Sequence, residues 1–267
     1  GTVWLLTEND GAIRVVTLPE KNYTTKPEIY STKSGLFPAD HFYQVYQDRA
    51  GNNWLLTDNG LGMIRPGERQ PVNYFVETQG KQDGMNQAFY AVRECEDDIC
   101  FTSDRGRIWC YQKKSGEFRL HELPTKARIT SIHAVGNDNT VVTTDSDGFF
   151  LSNLKTNKHI HYSPVTCKEL SDQPILSAYV DRTSEVWFEQ EEPGVVVHFN
   201  PATGVVKREQ MRVEYSNADR SRPAFHIHED IHGHVWVHPY GGGFSYFDRE
   251  RNCLVPFYDD LGSNNWR

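Results

Sequence analysis

Five histidines crowd the last fifth of the chain, and four of them form two candidate pairs: His226 and His228, then His234 and His238 just downstream. Neighbouring imidazoles are what zinc or copper sites use, and strand alternation puts His226 and His228 on one face where the second pair could approach them. No carboxylate or cysteine completes a metal-ligand spacing there, so the plainer reading is outward-facing strand histidines, and no metal is expected. Asp145-Ser-Asp-Gly148 opens like a calcium loop but lacks the distal glutamate. The five cysteines, Cys95, Cys100, Cys110, Cys167 and Cys253, include no CxxC pair. Cys95 and Cys100 could face each other across a hairpin, as could Cys100 and Cys110 on neighbouring strands, but buried free thiols are the expected state. There is no nucleophile elbow, phosphate loop or HExxH. The 36 Asp and Glu are carboxylates enough for glycoside cleavage, yet nothing sets two of them the ~5–9 Å apart that it needs. No catalytic residue and no cofactor is expected.

What must position any such group is a repeat. Asp48-Arg-Ala-Gly-Asn-Asn-Trp54-Leu-Leu-Thr57-Asp-Asn-Gly60 returns in outline as Asp181-Arg-Thr-Ser-Glu-Val-Trp187 and Asp230-Ile-His-Gly-His-Val-Trp236. Its second half recurs at Trp4-Leu-Leu-Thr7 to Gly11, and, with an aliphatic residue in place of the Trp, at Ile99 to Gly106 and Val141 to Gly148. The anchors at 4, 54, 99, 141, 187 and 236 lie 42 to 50 residues apart, the period of stacked supersecondary units. Within one unit, Phe42–Gln47, Trp54–Thr57, Leu61–Arg65 and Val72–Val76 read as four short strands separated by Asp/Gly, Asn-Gly and Pro-Gly turns.

The pattern predicts an all-β chain, a β-propeller of four-stranded antiparallel blades. About six blades are represented, five complete and one partial, as one propeller or part of a larger one. The units run near 1–41, 42–87, 88–128, 129–173, 174–223 and 224–267. Trp4, Trp54, Trp187 and Trp236 are expected to wedge between blades, each burying on the order of 200 Å². The chain opens on Gly1 in mid-repeat, as a piece of a longer protein would. Composition agrees: 12% aromatic, 20 Gly and 13 Pro suit many short strands and turns. The net charge of −8 argues against a nucleic-acid partner, and no run of 18 apolar residues offers a membrane span.

A propeller brings the loops between fourth and first strands, and between second and third strands, to one face. The first set holds Asp40, His41, Asn86, Gln87, Arg128, Gln173 and Arg222. The second holds Asp58, Asn59, Arg105, Asp145, Glu191, Glu192 and Tyr240. This mixture of donors, acceptors and rings suits a polar sugar, with Asp40, His41, Asn86, Arg128 and Arg222 the favoured ligand-binding subset. Trp109 and Trp266, off the wedge position, are the candidate exposed stacking platforms.

The acid, Gly, Trp, Thr and Gly spacing resembles the regulator-propeller repeat of periplasmic sensor regions in bacterial hybrid two-component systems. The copies at 43–66 and 225–248 match best, and the one at 175–199 departs after its Trp, with Glu189-Gln-Glu-Glu-Pro in place of Thr and turn. The resemblance implies a non-catalytic periplasmic sensor segment that recognises an oligosaccharide or makes receptor dimer and domain contacts. It further implies an adjacent propeller and an immunoglobulin-like domain as neighbours in one inner-membrane receptor, and a homodimer. Two other classes stay open: a propeller glycoside hydrolase or polysaccharide lyase, and a protein-interaction propeller.

Overall fold

The computed structural model describes residues 2–7, 9–18, 23–24, 26–75, 87–95, 97–136, 138–190, 192, 195–210, 226–238 and 245–256. Among them every regular element is a strand, every sheet is antiparallel, and five of the six are meanders paired in sequence order. The chain divides into two compact units, Gly1–Ile129 and Thr130–Arg267.

In the first unit, β1 (Thr2–Leu6), β2 (Ala12–Leu18), β3 (Tyr23–Thr24) and β4 (Glu28–Tyr30) form a sheet in which β1, β3 and β4 all pair with β2. Next come β5 (Phe42–Gln47), β6 (Asn53–Thr57), β7 (Leu61–Ile64) and β8 (Val72–Tyr74), then β9 (Phe89–Glu94), β10 (Asp98–Ser103), β11 (Arg107–Gln112) and β12 (Phe118–Glu122), each set paired in sequence order. The second unit's first sheet is β13 (Ile129–Val135, starting one residue before the unit does), β14 (Asn139–Thr144), β15 (Phe149–Asn153) and β16 (Lys158–Tyr162). Its second is β17 (Ile175–Val180), β18 (Val186–Gln190), β19 (Val195–Asn200) and β20 (Val205–Gln210). Its third is β21 (His226–Glu229), β22 (Val235–His238), β23 (Ser245–Asp248) and β24 (Cys253–Pro256). These are the blades of a β-propeller. The first sheet begins at its Trp strand, and its outer edge is split between β3 and β4, a division the repeat alone does not predict.

The acid six residues before the Trp explains the repeat. Asp48 Oδ1 accepts the turn amides of Ala50 and Asn52 at 3.0 and 2.8 Å, while Oδ2 accepts the Trp54 indole N–H at 2.9 Å. Asp181 treats Thr183, Glu185 and Trp187 in the same way, and Asp230 treats His232, His234 and Trp236. One carboxylate therefore fixes the turn and the ring together. Trp54 and Trp187 are both at 0% exposure. Trp54 lies against Phe101 and Tyr111 of the following sheet, within a cluster that includes Leu56, Met63 and Phe89. Trp187 lies against Val235, Val237 and Phe247 of the sheet after its own. Trp4 is half-buried beside Tyr30, and Trp236 half-buried beside Tyr246.

A second latch repeats between sheets. The Glu94 carboxylate, ending β9, accepts the amide of Arg49 at 3.1 Å and the Tyr46 hydroxyl at 2.9 Å. In the second unit Glu229, ending β21, accepts the amide of Arg182 at 2.8 Å. Both amides belong to the residue that follows a motif aspartate. The Thr and Gly of the repeat also have a job. Thr7, Thr57 and Thr144 each donate their hydroxyl to the carbonyl of Gly11, Gly60 and Gly148 at 2.7 to 2.9 Å, closing the turn. Gly148 has φ of 64°, and a Cβ there would sit 2.1 Å from the Tyr162 carbonyl oxygen, so no other residue fits.

The cysteine expectation is corrected. Cys100 and Cys110 stand directly opposite on β10 and β11 and are joined by a disulfide, because neighbouring strands place their Cα atoms 4.0 Å apart. Cys95, Cys167 and Cys253 are free and half-buried. The looser stretches around 78–87 and 208–222 fall largely outside the described residues.

Trp54→Ala is expected to cost about 3–5 kcal/mol of unfolding free energy. Asp48→Ala, which orphans a buried indole N–H and two amides, is expected to cost about 1–3 kcal/mol; denaturant titration of the variants measures both. Closing so short a loop, the Cys100–Cys110 bridge should contribute roughly 2–3 kcal/mol, so a reductant should lower the denaturation midpoint of the wild type and leave a Cys100→Ser/Cys110→Ser variant unmoved. Burial opposes the charged form of Asp181, but hydrogen bonds from Thr183, Arg249 and Trp187 outweigh it and hold the carboxyl below its ordinary value. A group so shifted stabilises the fold above the unfolded pKa of about 4 and loses that contribution as pH falls through the folded value. Unfolding free energy measured from pH 5 downward should therefore fall less steeply for Asp181→Asn than for wild type.

Candidate ligand-binding face

In the first unit the two families of loops named from the sequence meet. Gly11, Gly60 and Gly106, in the turns after β1, β6 and β10, donate their amides at 2.9 Å to the carbonyls of Asp40, Gln87 and Ala127, each two residues ahead of β5, β9 or β13. Asp58 and Asn59 add bonds from their backbone and side-chain nitrogens to the carbonyls of His41 and Pro38. The lacing holds the starts of three first strands beside the turns of the preceding sheets.

Those strand starts carry a row of rings. The His41 and Tyr43 centroids are 4.6 Å apart, Tyr43 and Tyr90 4.8 Å apart, and the Arg128 guanidinium lies 5.1 Å from the centre of the Tyr90 ring. Strand alternation explains the row: Phe42 and Phe89 point into the core, so Tyr43 and Tyr90 point the other way. Tyr43 is 38% exposed and Arg128 is exposed. The Tyr90 hydroxyl donates to both oxygens of Asp104 at 3.0 and 3.1 Å, which pins its ring.

Burial raises the Tyr90 phenol, and the Asp104 charge and hydrogen bond raise it further. Burial followed by the Asp58 charge raises Tyr43, with Arg128 opposing. Both phenols therefore stay protonated at neutral pH and serve as neutral hydrogen-bonding groups. The surface presents flat apolar rings bordered by one guanidinium, one imidazole and two carboxylates. Such a surface can take the C–H face of a sugar ring while polar neighbours meet its hydroxyls.

Of the favoured subset, His41 and Arg128 stand at the two ends of this row. Asp40 sits apart in role: its carboxylate oxygens accept the amide and hydroxyl of Thr32 at 2.8 and 2.6 Å, capping a turn. Asn86 and Arg222 lie outside the described residues, as do Glu191, Tyr240 and Trp266. Gln87 is buried and Arg105 exposed, its φ of 57° set by a turn. In the second unit, Glu192 is ion-paired with Arg208, Gln173 is exposed, and Asp145 opens the turn closed by Thr144 and Gly148. Trp109 packs at 4.7 Å against Phe75 with its indole nitrogen buried, so it is a core margin and not an exposed platform. His226 stands opposite His238, His228 opposite Trp236, and His234 bonds Asp230 at 3.0 Å. Among the described residues no group of three or more His, Cys, Asp or Glu could hold a metal ion.

Tyr43, Tyr90 and Asp104 escaped the sequence reading. The signal was present as Phe42-Tyr43 and Phe89-Tyr90, the same dipeptide at the same place in two repeats, each answered by an acid, Asp58 or Asp104, at the second turn.

No protein-family model and no curated protein sequence matches the chain. Solved structures do resemble it. The extracellular domain of BT3049 of B. thetaiotaomicron, described as a hybrid two-component system, superposes with a TM-score of 0.61 at 17% identity, over 82% of this chain and 30% of that one. The extracellular domain of BT4673 of the same organism, described as a one-component or hybrid two-component system, gives 0.57 at 15% identity, over 96% and 39%. Virginiamycin B lyase of Staphylococcus aureus gives 0.67 at 15% identity, over 96% and 80%. The chain thus spans well under half the length of either extracellular domain. What these neighbours share with it at such identities is the β-propeller fold.

Proposed function

We propose that this chain is a non-catalytic, extracytoplasmic segment of a two-component receptor, on the periplasmic side, and that the His41, Tyr43, Tyr90 and Arg128 row is where it recognises an oligosaccharide. The row carries the reading: rings at stacking distance, half exposed, with charge at the rim. Likeness in fold to extracellular domains described as two-component systems supports the setting. So does the Cys100–Cys110 bridge, since disulfides persist in oxidising compartments. Contacts with a further propeller, an immunoglobulin-like domain or a second copy belong to the same proposal. Because a lyase shares the fold, the enzymatic alternative is tested alongside.

A calorimetric screen of oligosaccharides, neutral and uronic-acid-containing, followed by chromatography of each ligand after incubation, separates the readings. A sugar should bind and be recovered intact. Tyr43→Ala and Arg128→Ala should each weaken binding about tenfold, or about 1.4 kcal/mol, while shifting the melting temperature little. Cleaved products would replace the sensor reading with the enzymatic one. Binding unaffected by both substitutions would remove the row from recognition.

A further inference from the structure

The second unit holds a cleft that neither the repeat nor the aromatic row accounts for. It opens beside β20, between the start of that strand and the loop from Pro164 to Glu169 that follows β16, as two adjoining hollows of about 510 and 440 Å³ that share Lys168, Glu169 and Val206. Sites for small molecules run from roughly 300 to 1,000 Å³. The walls are built in advance of any ligand. The Ser163 carbonyl accepts the amides of Thr166 and Cys167 at 3.0 and 2.8 Å, Leu170 anchors the loop in the core, and the Arg208 guanidinium donates to the Glu169 carbonyl while it pairs with Glu192. On the floor the Tyr162 ring stacks on Phe149 at 4.7 Å and meets Phe199 at 5.0 Å. A Cβ at residue 204 would come within 3.2 Å of the Tyr162 hydroxyl, so Gly204 leaves that oxygen uncovered, and it has no hydrogen-bond partner among the described residues. Burial, then the neighbouring Cys167, raise the Tyr162 phenol, which therefore keeps its proton and can donate.

Apolar and charged groups are segregated along the cleft. Pro164, Val165 and Val206 join Tyr162 in one half, with Val165 held 95% exposed at the mouth. The charges gather in the other half and at the join, and most are already matched: Arg208 by Glu192, Lys207 by Asn252, Glu209 by His198, while Glu169 accepts the Cys167 thiol. Lys168, at the join, is exposed and has no partner among the described residues. We propose that this cleft is a second binding site, for a small organic anion with a compact apolar body, an aromatic or short aliphatic carboxylate. The body lies against Val206, Val165 and the Tyr162 ring edge, and the carboxylate meets the Lys168 ammonium and accepts the Tyr162 hydroxyl. The site stands independently of the tyrosine row in the first unit.

The probe is benzoate, with benzyl alcohol and benzylamine as its neutral and cationic counterparts, each titrated into the full chain and followed by the backbone amide resonances. Benzoate should shift the amides of Thr166, Lys168, Gly204 and Val206 saturably. Benzyl alcohol should bind at the same amides about threefold more weakly, the modest worth of a solvent-exposed ion pair, and benzylamine more weakly still. Lys168→Gln should bring benzoate down to the affinity of the alcohol and Lys168→Arg should restore it, both with the melting temperature unmoved, because the side chain is exposed. No saturable shift at these amides, benzylamine binding as tightly as benzoate, or an unchanged benzoate affinity in Lys168→Gln overturns the proposal.

Discussion

The bond between a turn carboxylate and the indole N–H six residues later is the interaction on which the rest depends. Alone, each partner would be a liability, a charge and a polar N–H withdrawn from water. Together they satisfy each other, and the second carboxylate oxygen takes the turn amides as well. The result is a ring held in one orientation where adjacent sheets meet. Where the bond is present and a following sheet is described, as at Trp54 and Trp187, the ring is fully buried. At Trp187 the arrangement is thickened. The His198 ring stacks on the indole at 4.5 Å and bonds Glu185, while Arg249 bonds Asp181 at 2.8 Å.

Much of this was legible from residues alone because a repeat shows the same physics several times over. The recurrence of Asp, Gly, Trp, Thr and Gly exposed the blade, its strands and its turns. The carboxylate's role was not readable, since a sequence gives its spacing from the Trp but not the turn that folds it back. The Cys100–Cys110 bridge was not decided either: it needed the register of β10 on β11, which hydrophobic alternation does not fix to the residue. Asp40 illustrates a different limit. It sits at the right point in the chain for a ligand contact, yet Thr32, eight residues earlier, takes both of its oxygens. His41 and Arg128 were found by position, while Tyr43 and Tyr90 were hidden in plain strand alternation as ordinary aromatic residues.

The two kinds of aromatic residue thus divide the labour. Trp54 and Trp187 are bonded and enclosed between sheets, while the glycine amides of the turns hold the starts of the first strands. Tyrosines at those beginnings keep a face in solvent, with phenols that burial and neighbouring carboxylates keep protonated. Stability rests on the first set, and the proposed recognition on the second.

An NMR titration of the protein with a binding oligosaccharide follows both sets at once. The ring resonances of Tyr43 and Tyr90 and the guanidinium of Arg128 should move in step with saturation, while the Trp54 indole N–H, bonded to Asp48, stays where it is. Movement of the Trp54 indole with the tyrosine rings unmoved would contradict the assignment of structure to the tryptophans and recognition to the tyrosine row.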